Sequence, residues 1–244
     1  MKIKQKNKHM ILRCFTPLVA LATFAIEIIL ALFVLVKYRK TTIGILSIGF
    51  LVSLALFQLA EFVICGTHVG APIWSRIGFA STAFLPVIGL HYIYYINSIT
   101  KTWLLKLLYI LTILLAIGFF LPSDPYFGYA CLGTYVQFTV TSVFHRVYLW
   151  HYIVIVGSSL FILLVYIFSK RKQHIRRLNV WMLVAYLLFL IPTYTLVVLQ
   201  VITGKDVPSI LCGFAILAAL VVVGKILPIY YQKLGTVTRP SERP

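Results

Sequence analysis

Three polar side chains share one face of an apolar stretch early in the sequence. Gln58, Glu61 and Cys65 follow one another at intervals of three and four residues, so a helix places them on one side. Glu61 is one of only five acidic residues in the chain. Because a charged group in lipid is expensive, this face is expected to point into a helix bundle. Arg76, which opens the next apolar stretch at a similar depth, is the expected partner of Glu61.

Two interpretations of this polar face remain open. In the first, Glu61 and Arg76 form a structural ion pair that fixes two neighbouring helices. In the second, the face belongs to a ligand site that opens to the outside. The candidate ligand-binding residues are then Gln58, Glu61, Arg76 and His91.

Other polar residues lie deep in apolar stretches. Glu27 lies near the middle of the first stretch and Lys225 in the last. The first and last helices of a seven-helix bundle often pack side by side, so Glu27 and Lys225 are a candidate intramembrane pair. Lys225 could equally extend its ammonium group to the membrane surface. His91 is more simply a hydrogen-bonded packing residue than a proton relay.

The sequence gives no pattern for catalysis. It contains no P-loop, dinucleotide-binding fingerprint or serine-hydrolase motif. A retinal protein needs a carboxylate counterion, and the third apolar stretch contains no Asp or Glu. Several histidines and one aspartate lack the spacing of metal ligands: His68, His145, His151 and Asp124. We therefore expect no enzyme activity, no metal and no cofactor.

Composition identifies the class of protein. The 244 residues are 61% hydrophobic and only 11% charged, whereas ordinary soluble domains carry about 25% charged residues. Seven apolar segments are each long enough to cross roughly 30 Å of hydrocarbon as a helix. The predicted fold is an all-α membrane protein with a seven-transmembrane helix bundle. The segments lie near residues 15–36, 43–65, 74–97, 103–121, 148–168, 178–201 and 208–231.

The distribution of basic residues predicts the orientation. With the N-terminus outside, the cytoplasmic side holds 13 Lys and Arg residues and the outer side holds 8, five of them in the N-terminal arm. Cytoplasmic loops of membrane proteins are enriched in these residues. We therefore expect a plasma-membrane protein with a cytoplasmic C-terminus, and we assign the net charge of +17 to lipid and topology rather than to nucleic acid.

All four cysteines fall on the outer side in this orientation: Cys14, Cys65, Cys131 and Cys212. That side is oxidising in most cells, and four cysteines permit three pairings. The preferred pair is Cys65 with Cys131, because one ends the second helix and the other lies in a long loop that can reach it. Alternatively, the cysteines are small apolar residues in packed helices.

The long loop between the fourth and fifth helices contains a strand pattern. In YVQFTVTSVF, residues 135–144, polar and apolar side chains alternate and β-branched residues are frequent, which is typical of a strand. We expect a short outer β-hairpin with the segment around Gly128–Gly133. An irregular loop lying on the bundle is the alternative.

Several segments resemble the seven-transmembrane sensor region at the N-terminus of many bacterial histidine kinases. TAFLPVIGLHYIYYINSITK, residues 82–101, resembles the third helix of that family. VYLWHYIVIV, residues 147–156, is similar to the start of its fifth helix. LFLIPTYTLVVLQVITGKDVPSI, residues 188–210, resembles its proline-containing sixth helix and the start of the seventh. The acidic position late in the second helix, Glu61, also fits.

The resemblance implies a sensory input module. Such a module would receive an outer or membrane-borne signal, bind an unknown small ligand and act on a cytoplasmic kinase or cyclase. We divide the chain into a basic arm (1–14), a sensor-like domain (15–231) and a short polar tail (232–244). Two interpretations of the short tail stay open: the sequence is a fragment of a longer sensor, or it is a stand-alone input module that acts through a partner. A small-solute transporter or a structural subunit of a membrane complex are the alternatives.

Overall fold

Long helices account for most of the chain. The computed structural model describes residues 16–67, 69–121, 127–131, 136–140, 143–169, 172–199, 201–202 and 207–237. The basic arm with Cys14, and the end of the predicted tail, lie outside the described residues. The helices are α1 (Pro17–Tyr38), α2 (Thr42–Phe62), α3 (Ala71–Ile96), α4 (Trp103–Gly118), α5 (Val143–Phe168), α6 (Gln173–Val198), α7 (Val207–Val221) and α8 (Leu227–Val237).

Two π-helical segments extend these helices. Val63–Thr67 continues α2, and Val222–Ile226 joins α7 to α8 into one rod. Threonine side chains begin the first two helices: the Thr16 hydroxyl accepts a hydrogen bond from the Val19 N–H at 3.3 Å, and that of Thr41 accepts one from Gly44 at 3.0 Å. Such caps satisfy backbone donors that have no partner inside the helix.

The chain is a multi-pass membrane protein. Six helices of the described part are long and apolar enough to cross a membrane, when the rod of α7 and α8 is counted as one, whereas α4, with 16 residues, is apolar but shorter. Large apolar side chains cover the outside of the bundle, for example Leu18, Val36, Phe161 and Phe168. A soluble domain rarely exposes so much contiguous apolar surface, so this surface contacts lipid.

Helices α2 and α3 form the centre of the bundle. In the apolar 18-residue stretch of each helix, 61% of the residues of α2 and 72% of those of α3 are buried, compared with 22% in each of α1, α5 and α6. α1 and α7 pack against α2, while α4, α5 and α6 pack against α3. Pro86 and Pro192, at which kinks are expected, both lie inside continuous helices, α3 and α6.

Two short strands lie at one end of this bundle. β1 (Phe127–Cys131) and β2 (Val136–Val140) pair antiparallel, with Cys131 opposite Val136. β1 contacts α3 and β2 contacts α7. We call this end, where α2 finishes and α3 begins, the strand end. The opposite end carries the short links α1–α2, α3–α4 and α5–α6.

A glycine permits one close contact between α3 and α6. The Tyr186 hydroxyl of α6 packs directly against Gly89 of α3, where a Cβ atom would overlap it. Interiors packed at crystal-like density cannot absorb an added methyl group without shifts. Gly89 therefore sets the spacing of the two helices at this level.

Replacing this glycine is expected to destabilise the bundle. Gly89→Ala should lower the free energy of unfolding by about 1–3 kcal/mol because of overpacking, as measured by denaturation of the detergent-solubilised protein. Gly157→Ala is the matched control, since no atom lies within 4 Å of a Cβ built there. Adding Tyr186→Phe to Gly89→Ala should restore part of the loss. A Gly89→Ala protein as stable as the native chain would contradict this packing.

Candidate functional site

Side chains from two helices cover the edge of β2 that faces away from β1. The Ser209 hydroxyl of α7 donates a hydrogen bond to the Val136 carbonyl oxygen at 2.6 Å. The Val136 backbone also bonds to the carboxyl group of Glu61 in α2. In an extended strand the N–H and C=O of one residue point the same way, so Val136 directs both groups away from β1. Val136, Ser209 and Glu61 together join the strand pair to α2 and α7.

A disulfide from the other strand, β1, anchors the same pair of opposite residues in the strand pair. Cys65, in the π-helical segment after α2, is bonded to Cys131 of β1 with Cα atoms 5.5 Å apart. It is the pair that the sequence favoured. Because Cys131 and Val136 are paired residues, the covalent link and the polar contacts hold one rung. We call Cys65, Cys131, Val136, Ser209 and Glu61 the clamp.

Beneath the clamp, α1 contributes a second buried acid. Glu27 is fully buried and Glu61 is 8% exposed. Neither Glu27 oxygen has a hydrogen-bond partner among the described residues, and the same holds for Oε1 of Glu61. The two groups are near enough to interact electrostatically with each other and with Cys212 of α7. No cation is placed between them in the part of the chain that the structure describes.

Two further polar groups near the acids lack hydrogen bonds within the described chain. They are Nε2 of Gln58, which is 2% exposed, and the hydroxyl of Ser75, which is fully buried. Gln58 lies one helical turn from Glu61 on the same face of α2. A Cβ atom built on Gly78 of α3 would lie 3.5 Å from the Ala60 Cβ of α2, so Ser75, three residues earlier, points toward the same helix. An interior with several unsatisfied polar groups is costly unless a ligand, ion or water joins them.

The expected pairing of Glu61 with Arg76 does not appear among the described contacts of the two residues. The Glu61 carboxyl contacts Val136 and Ser209, and the Arg76 guanidinium lies 3.5 Å from the Phe120 carbonyl oxygen. Adjacent positions on a helix differ in direction by about 100°. Ser75 occupies the direction toward α2, and Arg76 therefore points toward the end of α4.

The expected pairing of Glu27 with Lys225 is wrong. The Lys225 ammonium lies 5.7 Å from the centroid of the Trp181 ring on α6, while both oxygens of Glu27 have no hydrogen bond among the described groups. α1 does contact α7, but Lys225 belongs to the π-helical segment nearer the opposite end. A cation over an aromatic face gains electrostatic energy without deep burial.

His91 lies away from the clamp. It is five residues from the end of α3 at the opposite end of the bundle, and its Nδ1 lies 3.1 Å from the Tyr109 hydroxyl of α4. One turn farther along α4, Thr112 is 3.2 Å from Nε2 of His151 in α5. Both histidines thus bridge neighbouring helices. His91 is not brought together with Gln58 and Glu61.

The opposite end is closed by polar contacts of its own. Asn97 of α3 and Asn179 of α6 exchange two amide hydrogen bonds, at 2.9 and 2.8 Å. Nearby, the hydroxyl groups of Tyr95 and Tyr230 are 3.1 Å apart. One helical turn before Tyr95, the Tyr92 hydroxyl bonds to Ser47 of α2. In contrast to the groups around Glu61, these side chains satisfy one another.

An apolar cavity of about 50 Å³ lies in the centre, between α2, α3, α5, α6 and α7. Three tyrosines and Pro86 contribute to its wall: Tyr92, Tyr152 and Tyr186. A cavity with so apolar a wall offers water few hydrogen-bond partners and suits an apolar group better. No group of three or more metal-ligating side chains occurs among the described residues.

No protein-family model matches the sequence, and no curated protein gives a significant match. The resemblance to histidine-kinase sensor regions therefore stays a prediction.

Proposed function

We propose that this chain is a sensory input module of the plasma membrane, which receives a signal at the strand end and transmits it to a cytoplasmic kinase or cyclase. The observation that carries the proposal is the clamp. A strand pair outside the helices is joined to a buried, incompletely satisfied carboxyl group and to two helices of the bundle. A change at Glu61 therefore alters contacts that reach from the strands into α2 and α7.

The distribution of buried polar groups supports sensing over transport. Among the described residues, the unsatisfied groups near Glu27 and Glu61 lie toward the strand end, whereas the opposite end is closed by paired side chains. A transporter needs alternating access to a site from both sides. A polar site confined to one end of the bundle suits a receptor.

The proposed topology has seven spans, with α4 as the short fourth span and the strand pair as an outer β-hairpin. A disulfide at the strand end suits an oxidising exterior. Described basic residues gather at the opposite end, as cytoplasmic loops require: Lys37, Arg39, Lys40, Lys101, Lys106, Lys172, Arg176 and Arg177. Reporter fusions after residues 40, 173 and 244 should all report the cytoplasm. An external signal at residue 173 would overturn this topology.

Coupling between the two ends can be measured directly. Spin labels on Lys101→Cys and Lys172→Cys, both exposed at the opposite end, report the separation of α3 and α6 in lipid nanodiscs. The background carries Cys14→Ser and Cys212→Ala so that only these sites react. Releasing the clamp, by Ser209→Ala or by Cys65→Ser with Cys131→Ser, should change the distance distribution.

The outcomes of this experiment distinguish a sensor from a transporter. Ser158→Ala is the control, because Ser158 is an exposed residue of α5 that bonds only to its own helix. Identical distance distributions in the native and released proteins would overturn the sensory proposal. Vesicles that lose a proton or cation gradient faster than protein-free vesicles would also contradict it, in favour of transport.

A further inference from the structure

We propose that the central cavity is a binding site for a small apolar molecule that carries one hydrogen-bond acceptor, such as a short ketone. The inference does not rest on the proposed sensory function, because occupancy of the cavity is measured at the cavity itself. Two observations carry it. Small residues leave the space open, and one buried hydroxyl group in its wall has no hydrogen-bond partner among the described residues.

Small residues of three helices keep the cavity open. Protein interiors are normally filled at crystal-like density, and large apolar side chains are frequent in this chain. Four positions of the wall carry only a Cβ atom or none: Gly89 of α3, Ala185 of α6, and Ala215 and Ala218 of α7. The three alanines are nearly fully buried, so they face neighbouring helices rather than lipid.

The volume of the cavity limits the size of its ligand. A single water needs about 10–15 Å³, whereas the cavity measures about 50 Å³. The cavity therefore takes a molecule of roughly three to five non-hydrogen atoms. Side chains without polar atoms form most of the wall, among them Leu85, Val156 and Leu211. Removal of apolar surface from water favours the entry of an apolar molecule.

The Tyr186 hydroxyl gives the site its polar preference. Tyr186 of α6 lines the cavity and is 5% exposed, and its hydroxyl has no hydrogen-bond partner among the described residues. The Ser159 hydroxyl of α5 lies close by, but it donates its own hydrogen to the Ile155 carbonyl oxygen at 2.8 Å. A buried hydroxyl without a partner is costly. Tyr186 therefore has one hydrogen to offer an acceptor in the cavity.

The rest of the wall requires an uncharged ligand. Among the described residues that line the cavity, none carries a charge, and an unpaired ion in such a space is strongly disfavoured. Tyr92 also lines the cavity, but its hydroxyl bonds to Ser47 of α2. The Tyr186 hydroxyl instead packs against Gly89, another residue of the wall. One acceptor atom is thus matched, and the remainder of the ligand is apolar.

Binding of two probes to the full chain in lipid nanodiscs tests the inference. Acetone and 2-methylpropene share one shape and differ only in the carbonyl oxygen. With irradiation of aromatic protons, saturation-transfer NMR should detect both probes on the native protein above the level of protein-free nanodiscs. Ala218→Val adds two methyl groups to the wall and should abolish this signal. Ala22→Val is the matched control on the exposed surface of α1 and should bind both probes as the native protein does.

The hydroxyl group has a test of its own. Tyr186→Phe should weaken acetone binding by about 3–10-fold, as expected for the loss of one hydrogen bond. The same change should leave 2-methylpropene binding unaltered, because that probe has no acceptor. Equal acetone binding by the native and Tyr186→Phe proteins would overturn the assignment of the acceptor to Tyr186.

Two further results would overturn the site itself. The first is an acetone signal that is the same in the native, Ala218→Val and Ala185→Val proteins, because the probe would then bind outside the cavity. The two filling variants lie on different helices, so a folding defect in one of them does not decide the outcome. The second is the absence of binding to the native protein at up to about 100 mM acetone, well above the dissociation constant expected for so small a ligand.

Discussion

Removal of the Cys65–Cys131 disulfide is expected to lower the free energy of unfolding by roughly 2–4 kcal/mol. The bond closes a loop between residues 66 positions apart, and the cost of closing such a loop in a flexible chain lies at the upper end of this range. Because α3 and α4 lie in that loop and stay helical in a membrane, the effective loop is shorter and the loss smaller. Cys65→Ser with Cys131→Ser should show the effect in denaturation of the detergent-solubilised protein.

Treatment with a thiol reductant is the control for this prediction. It should destabilise the native protein by the same amount and leave the double serine variant unchanged, since the buried Cys212 thiol is present in both proteins. Equal stability of the native and double serine proteins would show that the bond does not restrain the unfolded chain.

Breaking the Asn97–Asn179 pair is expected to cost about 1–3 kcal/mol, because one buried amide loses its partner. Asn179 is fully buried and Asn97 nearly so. Asn97→Ala and Asn179→Ala should each destabilise the protein, and the double variant should lose less than the sum of the two, as measured by a double-mutant cycle. Ser158→Ala serves as the surface control.

The same pair offers a link to signalling. Asn97 ends α3 and Asn179 lies near the start of α6, so the two amides join the helices at the end that faces the proposed partner. Strict additivity of the two substitutions would contradict a direct interaction between them. Single variants should also broaden the distance distribution between labels at Lys101 and Lys172.

The helices could be predicted from sequence because lipid imposes a simple rule. Each crossing needs a long apolar run with its backbone bonds satisfied internally, and these runs are visible without any knowledge of contacts. The observed helices begin within a few residues of the predicted bounds, and capping side chains set their exact starts, as Thr16 does for α1 and Thr41 for α2.

The partners of the buried acids could not be predicted in the same way. Arg76 is close to Glu61 along the chain, but the contacts of Glu61 come from Val136 and Ser209, more than 70 residues away in sequence. Apolar periodicity does not fix the rotation of one membrane helix against another. When the partner is a backbone group, as at Val136, the residue type at that position gives no sign of the interaction. Ser209, in the first turn of the last membrane helix, was not predicted, and its polar side chain was the one signal that could have revealed it.

The position of the clamp also determines the order in which the molecule can be assembled. In the proposed topology, Cys65 and Cys131 both precede α5, so a nascent chain can oxidise this bond once α3 and α4 have crossed the bilayer and β1 has emerged. Ser209 is translated about 80 residues after Cys131. The covalent part of the clamp can therefore form during synthesis, whereas the contacts of Ser209 with Val136 and Glu61 wait for the last helix. Their formation marks the completion of the bundle.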